Sequence, residues 1–167
     1  MSNCDISGFE GVKKITGRED IPFYEIDCCD FASVDKVFTE HQIDAVIHFA
    51  AFKAVGESVS EPIKYYSNNL VSFLNILEVA RKHGGCNVLF SSSATVYGEA
   101  KDLPVTEQTP RMPAMSPYGN TKTMCEDILR DVVYATSTQD AVIKGIALRY
   151  FNPIGAHPSA LIGELPR

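Results

Sequence analysis

Several classes of protein are excluded by what this sequence of 167 residues lacks. Its net charge is −6, so it shows none of the basic excess that is typical of a nucleic-acid-binding protein. No apolar run approaches the ~20 residues that a membrane-spanning helix needs, and no signal-peptide pattern opens the chain. We therefore expect a cytoplasmic protein that binds neither nucleic acid nor a membrane.

Cysteine is present, but not in a pattern that would form a disulfide framework or bind a metal. The five cysteines are odd in number, and no two of them have C-x-x-C spacing. This usage indicates reduced thiols, and we expect no metal site. The composition is otherwise that of an ordinary globular protein, with 45% apolar and 22% charged residues, and the length suits one domain.

Four short apolar segments without polar alternation predict buried strands. They are "IPFYEID" (residues 21–27), "DAVIHFAA" (44–51), "NVLFSSS" (87–93) and "KGIALRYF" (144–151). Helical patterns lie between them. Strands that alternate with helices predict βαβ units, and so an α/β fold whose parallel sheet is covered on both faces.

Three helices have recognisable patterns. The first is predicted to begin near Asp30, which suits an N-cap. The second has apolar residues at i, i+3, i+4 and i+7 from Leu70 to Ala80, and it should end before Gly84 and Gly85. The third has an apolar stripe over residues 125–133.

Residues 98–117 contain four prolines and no hydrophobic period. A loop of about twenty residues is uncommon in a compact domain and is usually functional. It joins a strand that ends in "SSSATVYG" to a helix that begins with "SPYGNTK". Because ligands of open α/β sheets bind outside the carboxyl ends of the strands, both stretches should flank one crevice.

The helix start places two reactive side chains on one face. Ser116 suits the N-cap and Pro117 the first helical position, so that Tyr118 lies in the first turn and Lys122 one turn later. The ammonium and the positive end of the helix dipole would favour a tyrosine phenolate, which could act as a base. Taken alone the pair proves little, since residues at i and i+4 are neighbours on any helix.

Five motifs in order carry a resemblance that spans essentially the whole chain. They are "VIHFAAFKAVGES", "YYSNN", "SSSATVYG", "SPYGNTK" and "RYFNPIGAHPS". Together they resemble the UDP-glucose 4-epimerase family of the extended short-chain dehydrogenase/reductase superfamily, in particular the type related to fungal galactose-pathway enzymes. The resemblance implies a bound NAD, the substrates UDP-glucose and UDP-galactose, a 4-keto intermediate and, as is usual in the family, a homodimer.

The resemblance also implies a role for each matching residue. Tyr118 would be the base for the C4 hydroxyl, Ser93 its hydrogen-bonding partner, and Lys122 the residue that holds the nicotinamide ribose. Asn152, with Ser93 and Tyr118, would contact the nucleotide sugar. The cofactor-binding residues would be Asp27, Cys28, Phe49, Ala50, Ala51, Lys53, Asn68, Tyr118, Lys122 and Phe151. In isolation, each of these residues also suits a structural position at a strand end or on a helix face.

The sequence departs from the family pattern at two places that matter for the cofactor. The family opens with a strand, a G-x-x-G-x-x-G turn and a helix that binds the pyrophosphate, and no such turn is present here. Gly8 and Gly11 have no preceding strand and no third glycine. Ala51 stands where the family usually has glycine. We therefore expect an incomplete Rossmann-like, doubly wound parallel sheet.

Residues 1–167 would form a partial NAD-binding domain, without the first βαβ unit and the C-terminal substrate lobe. Two other functions stay open at this point. A nucleotide-sugar 4,6-dehydratase would need an acid and a base for elimination, and these are typically an Asp-Glu pair where this chain has Ala94 and Thr95. The chain could also be a truncated remnant without catalytic activity.

Overall fold

The computed structural model of the protein describes residues 6–101 and 103–163. The described chain divides into two compact units. The larger comprises residues 27–151, and the smaller comprises residues 6–26 together with 152–163. All but one of the predicted site residues fall in the larger unit.

The larger unit alternates helices with strands, as the sequence predicts. In chain order its elements are α2 (Phe31–Glu40), β1 (Ala45–His48), α3 (Val55–Ser60), α4 (Pro62–Lys82), β2 (Asn87–Ser93), a 3-10 turn (Ala94–Tyr97), α5 (Pro117–Thr136) and β3 (Lys144–Tyr150). Three of the four predicted strands are confirmed, and the segment at 87–93 has the predicted bounds.

The three strands form a parallel sheet in the order β1-β2-β3. The register pairs Ile47 with Leu89 and Leu89 with Ile146. All three carboxyl ends therefore lie at one edge of the sheet, where Ser93 pairs with Tyr150. The α/β class and the partial Rossmann-like sheet are confirmed.

The hydrophobic core lies on one face of this sheet. Val88 and Phe90 of β2 are buried there against Phe73 of α4 and Leu129 of α5. On the opposite face Ile47 and Ile146 are each 61% exposed. Within this unit the sheet is thus covered on one face, whereas the sequence predicted cover on both.

Local sequence explains where the helices begin and end. Asp30 caps α2, because its carboxylate accepts a hydrogen bond from the backbone N–H of Ala32. After α4 the chain turns through Gly84 and Gly85, whose φ angles of 93° and 87° suit glycine. The loop at 98–116 contains neither helix nor strand in its described residues. Each of these features agrees with the prediction from sequence.

The predicted strand at residues 21–27 is wrong, because these residues adopt neither helix nor strand. A strand requires a neighbour for its backbone, and apolar composition alone does not supply one. In the smaller unit Phe23 packs against Phe9, with 4.9 Å between the ring centroids. In the larger unit the Asp27 carboxylate accepts the backbone N–H of Cys29 at 2.8 Å and forms a turn.

The smaller unit contains one helix that the sequence did not predict, α1 (Ser7–Thr16). It ends at Gly17, which has the left-handed φ of 66°. Gly11 lies against the chain at Leu161, since a Cβ built there would be 2.5 Å from the Leu161 carbonyl oxygen. Across the described residues no helix is long and apolar enough to cross a membrane.

Candidate active site

The amino-terminal end of α5 has the predicted capped geometry. Ser116 Oγ accepts a hydrogen bond of 3.1 Å from the backbone N–H of Gly119. Pro117 is the first helical residue, where its missing N–H costs no intrahelical bond. Tyr118 therefore lies in the first turn and Lys122 in the second, on the same face of α5.

Lys122 joins this helix to the carboxyl end of β2. Its ammonium is buried, with the residue 4% exposed, and it donates a hydrogen bond of 2.6 Å to the carbonyl oxygen of Ser91. The same nitrogen lies 5.8 Å from the centroid of the Tyr118 ring and 4.9 Å from that of Phe90. Burial lowers the pKa of Lys122 to about 8.

Ser93 and the 3-10 turn that follows it pack onto the start of α5. Ser93 Oγ accepts a hydrogen bond of 3.2 Å from the backbone N–H of Thr95. A Cβ built on Gly119 would lie 3.2 Å from the Cβ of Thr95, so any larger residue at this close approach would crowd Thr95. Among the described side chains, the hydroxyl oxygen of Thr95 is the one buried polar atom without a hydrogen-bond partner.

Two aromatic side chains flank the edge of the sheet where the carboxyl ends meet. Phe49 follows β1 and is 61% exposed, and its ring lies 6.3 Å from that of Tyr150. Phe151 follows β3 and is 64% exposed, and it stacks at 6.4 Å on Tyr97. The edge thus presents apolar rings to solvent at the ends of β1 and β3.

Three of the predicted cofactor-binding residues, Asp27, Cys28 and Asn68, lie close to one another in the turn before α2 and near the start of α4. Asp27 and Cys28 are in the turn before α2, and the thiol of Cys29 lies 3.5 Å from the backbone oxygen of Asn68. Asn75, two turns later on α4, donates to the carbonyl oxygen of Cys28 at 3.0 Å. The structure therefore brings the three predicted residues of this group close to one another.

Three other predicted residues follow β1, and one lies in the other unit. Ala50 and Lys53 are exposed, and Ala51 between them is half-buried. Asn152 is exposed and belongs to the smaller unit, so it is described by itself. The roles of all these residues in binding a cofactor or a substrate stay predictions.

Sequence reasoning missed three polar side chains in the same region. They are Asn69, Thr95 and Glu126. Asn69 stands next to Asn68 in the "NN" pair, and only Asn68 was assigned a role. Thr95 belongs to the motif in which only Ser93 was assigned one. Glu126 had a usable signal, because it follows Lys122 by four residues and so lies on the face of α5 that carries Tyr118 and Lys122.

Glu126 is bonded to side chains of both β2 and β3. Its carboxylate accepts hydrogen bonds from Ser92 Oγ at 2.6 Å and from Arg149 at 2.8 and 2.9 Å. Burial alone would raise the pKa of Glu126, but the bonds from Arg149 and Ser92 and the charges of Arg149 and Arg111 hold it below its ordinary value.

Comparison with known proteins gives strong matches over nearly the whole chain. The UDP-glucose 4-epimerase of Bacillus subtilis is 50% identical over 166 residues, which are 99% of this chain and 47% of that protein. The UDP-glucose 4-epimerase of Caenorhabditis elegans is 50% identical over 157 residues, which are 93% of this chain and 44% of that protein. The chain therefore spans about half the length of these curated relatives.

Solved structures resemble the fold equally well. UDP-glucose 4-epimerase from Bifidobacterium longum, in complex with NAD+ and UDP, superposes with a TM-score of 0.90 at 49% identity, over 96% of this chain and 46% of that one. The family model described as GDP-mannose 4,6 dehydratase matches residues 3–162. The chain belongs to this family, and its predicted place in the extended short-chain dehydrogenase/reductase superfamily is confirmed.

Proposed function

We propose that this chain supplies the catalytic residues of a UDP-glucose 4-epimerase, which interconverts UDP-glucose and UDP-galactose in galactose metabolism. The observation that carries the proposal is the position of Lys122. Its ammonium comes from the helix that carries Tyr118, and it is buried 2.6 Å from the carbonyl oxygen of Ser91, two residues before Ser93. The relatives that match nearly the whole chain are named as enzymes of this kind.

The three side chains can divide the proton chemistry among them. Tyr118 would take the proton of the C4 hydroxyl and later return it. Ser93 already accepts a bond from Thr95, so its own O–H remains available for the same sugar oxygen. Lys122 has three N–H donors, and one of them bonds to the carbonyl oxygen of Ser91. The other two remain available for a ribose hydroxyl and for the tyrosine oxygen.

The residues present fit part of a dinucleotide. The chemistry that NAD supplies when bound is removal of a hydride from C4 of the sugar and its return to the opposite face. The exposed rings of Phe49 and Phe151, at the carboxyl ends of β1 and β3, suit a flat nicotinamide. The unpartnered hydroxyl of Thr95 suits a polar ligand beside Ser93.

The adenine end and the pyrophosphate differ in how well this chain provides for them. Asp27, Cys28 and Asn68 lie close together and suit the adenine side. A pyrophosphate is usually bound by a glycine turn and the free N–H groups of a helix start, and this sequence contains no G-x-x-G-x-x-G turn. The chain alone should therefore bind NAD weakly.

The name of the matching family makes dehydration the second candidate. Elimination of water from a 4-keto sugar needs a proton donor and a base near Ser93. Positions 94 and 95 are alanine and threonine, and Glu126 is occupied by Ser92 and Arg149. These side chains support epimerisation over elimination.

The proposal can be tested in a chimera, because the chain covers less than half of the relative that would host it. The 166 aligned residues of the Bacillus subtilis epimerase would be replaced by this chain, and the purified protein would be incubated with UDP-galactose. We expect UDP-glucose to form with bound NAD, and light scattering would also show whether a homodimer assembles.

Two results would count against the proposal. A folded chimera that retains NAD but leaves UDP-galactose unchanged would contradict the substrate assignment. Conversion of a nucleotide sugar to a 4-keto-6-deoxy product would favour the dehydratase. The Tyr118→Phe chimera serves as the matched control, since it keeps the ring and lacks the reacting hydroxyl.

A further inference from the structure

One carboxylate connects α5 to three other segments of the larger unit. Glu126 accepts from Ser92 at the end of β2, from Arg149 on β3, and from Arg111 in the loop at 98–116, the last at 3.3 Å. Its side chain is 8% exposed. This one side chain therefore joins the helix to a strand end, to the neighbouring strand and to the long loop.

The position of Glu126 along α5 relates it to the proposed reaction. Tyr118, Lys122 and Glu126 are spaced four residues apart and so lie on one face of the helix. Lys122 is bonded to the carbonyl of Ser91, and Glu126 to the hydroxyl of Ser92. Two successive turns of α5 are therefore fastened to two successive residues of β2, directly before Ser93.

The bonds to Glu126 also reach the aromatic residues of the site. Arg149 contacts Glu126 through two parallel hydrogen bonds of 2.9 and 2.8 Å, a geometry that fixes the guanidinium plane. The central carbon of Arg149 lies 4.8 Å from the centroid of the Tyr97 ring. Tyr97 in turn stacks on Phe151. A shift of Glu126 would therefore move Arg149 and Tyr97, and with them the Phe151 ring at the end of β3.

We propose that Glu126 is a positioning residue, which holds Tyr118 and Lys122 in register with Ser93 and Phe151. This inference rests on the proposed function for its catalytic meaning, while its geometric content concerns the seating of α5 on β2. A misplacement of about 1 Å between reacting groups can cost ~10²-fold in rate, so such seating has a measurable effect.

A purely stabilising ion pair is the alternative, and it predicts a different outcome. Replacing one member of a buried charge network lowers stability wherever the network lies. A positioning role predicts in addition that the surroundings of Lys122 change while the protein is still folded. The buried ammonium is the reporter, because water that enters between α5 and β2 would raise its lowered pKa.

The first measurement uses the chain itself, with Lys122 titrated by NMR through its side-chain nitrogen. Glu126→Gln keeps the shape of the side chain but removes the charge. Loss of the negative charge by itself would lower the pKa of Lys122, whereas entry of water would raise it, so a rise from about 8 toward the ordinary value of 10.5 is the expected sign that α5 has moved. Asp131→Asn makes the same chemical change at an exposed position of α5, and it should leave the titration unchanged.

A second variant covers the case in which Glu126→Gln does not fold. Ser92→Ala deletes one hydroxyl and leaves both arginine pairs intact, so it tests the bond to β2 alone. It should move the Lys122 titration in the same direction by a smaller amount. Glu126→Asp retains the charge. In this variant the pKa of Lys122 should lie closer to the parental value than it does in Glu126→Gln.

The second measurement uses the chimera and compares kcat with KM. We expect Glu126→Gln to lower kcat by about 10–100-fold while KM changes less than about threefold. A parent chimera without epimerase activity would contradict the proposed function. The NMR titration would still test whether Glu126 holds α5 against β2, because it does not depend on activity. Folded Glu126→Gln with an unchanged Lys122 titration and near-parental kcat would overturn the proposal.

Discussion

The side-chain amide of Asn69 donates a hydrogen bond of 3.2 Å to the hydroxyl oxygen of Thr121, so that α4 and α5 are joined beside the candidate site. The same amide accepts from the backbone N–H of Phe52 at 2.8 Å and donates to its carbonyl at 3.0 Å. Thr121 donates to the carbonyl of Tyr118 at 2.7 Å. The segment after β1 and the first turn of α5 therefore form one hydrogen-bonded group.

Asn69→Ala should lower the free energy of unfolding by about 2–3 kcal/mol. The substitution leaves the backbone N–H and C=O of Phe52 without their partner, and a buried unsatisfied group typically costs ~1–3 kcal/mol. Urea unfolding followed by circular dichroism would measure the change. Gln139→Ala, on an exposed amide, should change the stability by less than about 0.5 kcal/mol, and an equal loss in both variants would contradict this reading.

The parts of the fold that could be predicted are those that local sequence determines. The strand at residues 87–93 contains the apolar run Val88 to Phe90 and is central in the sheet, so pattern and structure coincide. Ser116 and Asp30 are caps whose side chains act within three residues of their own position. Spacing alone likewise placed Tyr118 and Lys122 on one face of α5.

The parts that could not be predicted depend on partners that are distant in sequence. Residues 21–27 have strand-like composition, but the pairing of a strand is decided by its neighbours rather than by its own residues. Asn69 bonds to Phe52 and Thr121, which are 17 and 52 residues away. Glu126 bonds to Arg149, 23 residues away, so only the fold reveals the network.

His48 should make the protein sensitive to acid. Burial against the Phe73 and Phe90 rings, followed by the charge of Lys122, lowers the pKa of His48 to about 4. As the pH falls from 6.5 to 4 the unfolded chain takes up this proton and the folded chain does not. The free energy of unfolding should therefore fall across this window by about 3 kcal/mol through His48.

Chemical denaturation at a series of pH values would isolate this contribution. In His48→Leu the free energy of unfolding should fall less between pH 6.5 and pH 4 than in the parent. The fall that remains is due to other titrating groups. His157→Leu, at an exposed position, should keep the parental pH dependence. If both variants lose as much free energy of unfolding between pH 6.5 and pH 4 as the parent does, burial of His48 is not the cause of that loss.

Lys122→Met should stabilise the fold and impair its chemistry. The folded chain binds the Lys122 proton less tightly than the unfolded chain, since burial lowers its pKa to about 8. The free energy of unfolding of the parent should thus rise with pH between about 8 and 10.5, by about 3 kcal/mol. Methionine removes this penalty and forfeits the bond to Ser91, worth about 1 kcal/mol.

Urea unfolding at pH 7 should show that Lys122→Met is more stable than the parent. The variant should also lack the rise in the free energy of unfolding that Lys122 gives the parent at alkaline pH. The matched control is Lys36→Met, whose side chain is 71% exposed, and it should change little. In the chimera, Lys122→Met should lose both rate and retained NAD. A destabilised variant with full activity would refute both expectations.

The 167 residues alone should neither retain NAD nor epimerise UDP-galactose. A pyrophosphate carries two negative charges, and this sequence has no glycine turn to bind them. The exposed Ile47 and Ile146 on one sheet face also make the chain prone to aggregation at high concentration. Calorimetry with NAD tests this expectation, with AMP as the comparison for the adenine side. Micromolar NAD affinity would contradict the expectation and show that the chain is a working cofactor-binding domain.

Tyr118→Phe in the chimera should lower turnover far more than it weakens nucleotide binding. The phenylalanine ring keeps the packing beside Lys122 and Gly119, while the hydroxyl that is proposed to exchange a proton with the C4 hydroxyl is lost. General acid–base catalysis is typically worth ~10²–10⁴-fold, so kcat should fall by about this factor. The dissociation constant for UDP, measured by calorimetry, should stay within about threefold of the parental value, since the proposed role of the hydroxyl concerns the sugar and not the nucleotide. If turnover instead stayed near the parental rate while UDP binding weakened, Tyr118 would be a binding residue, and the base would have to be sought elsewhere at the edge that carries Ser93.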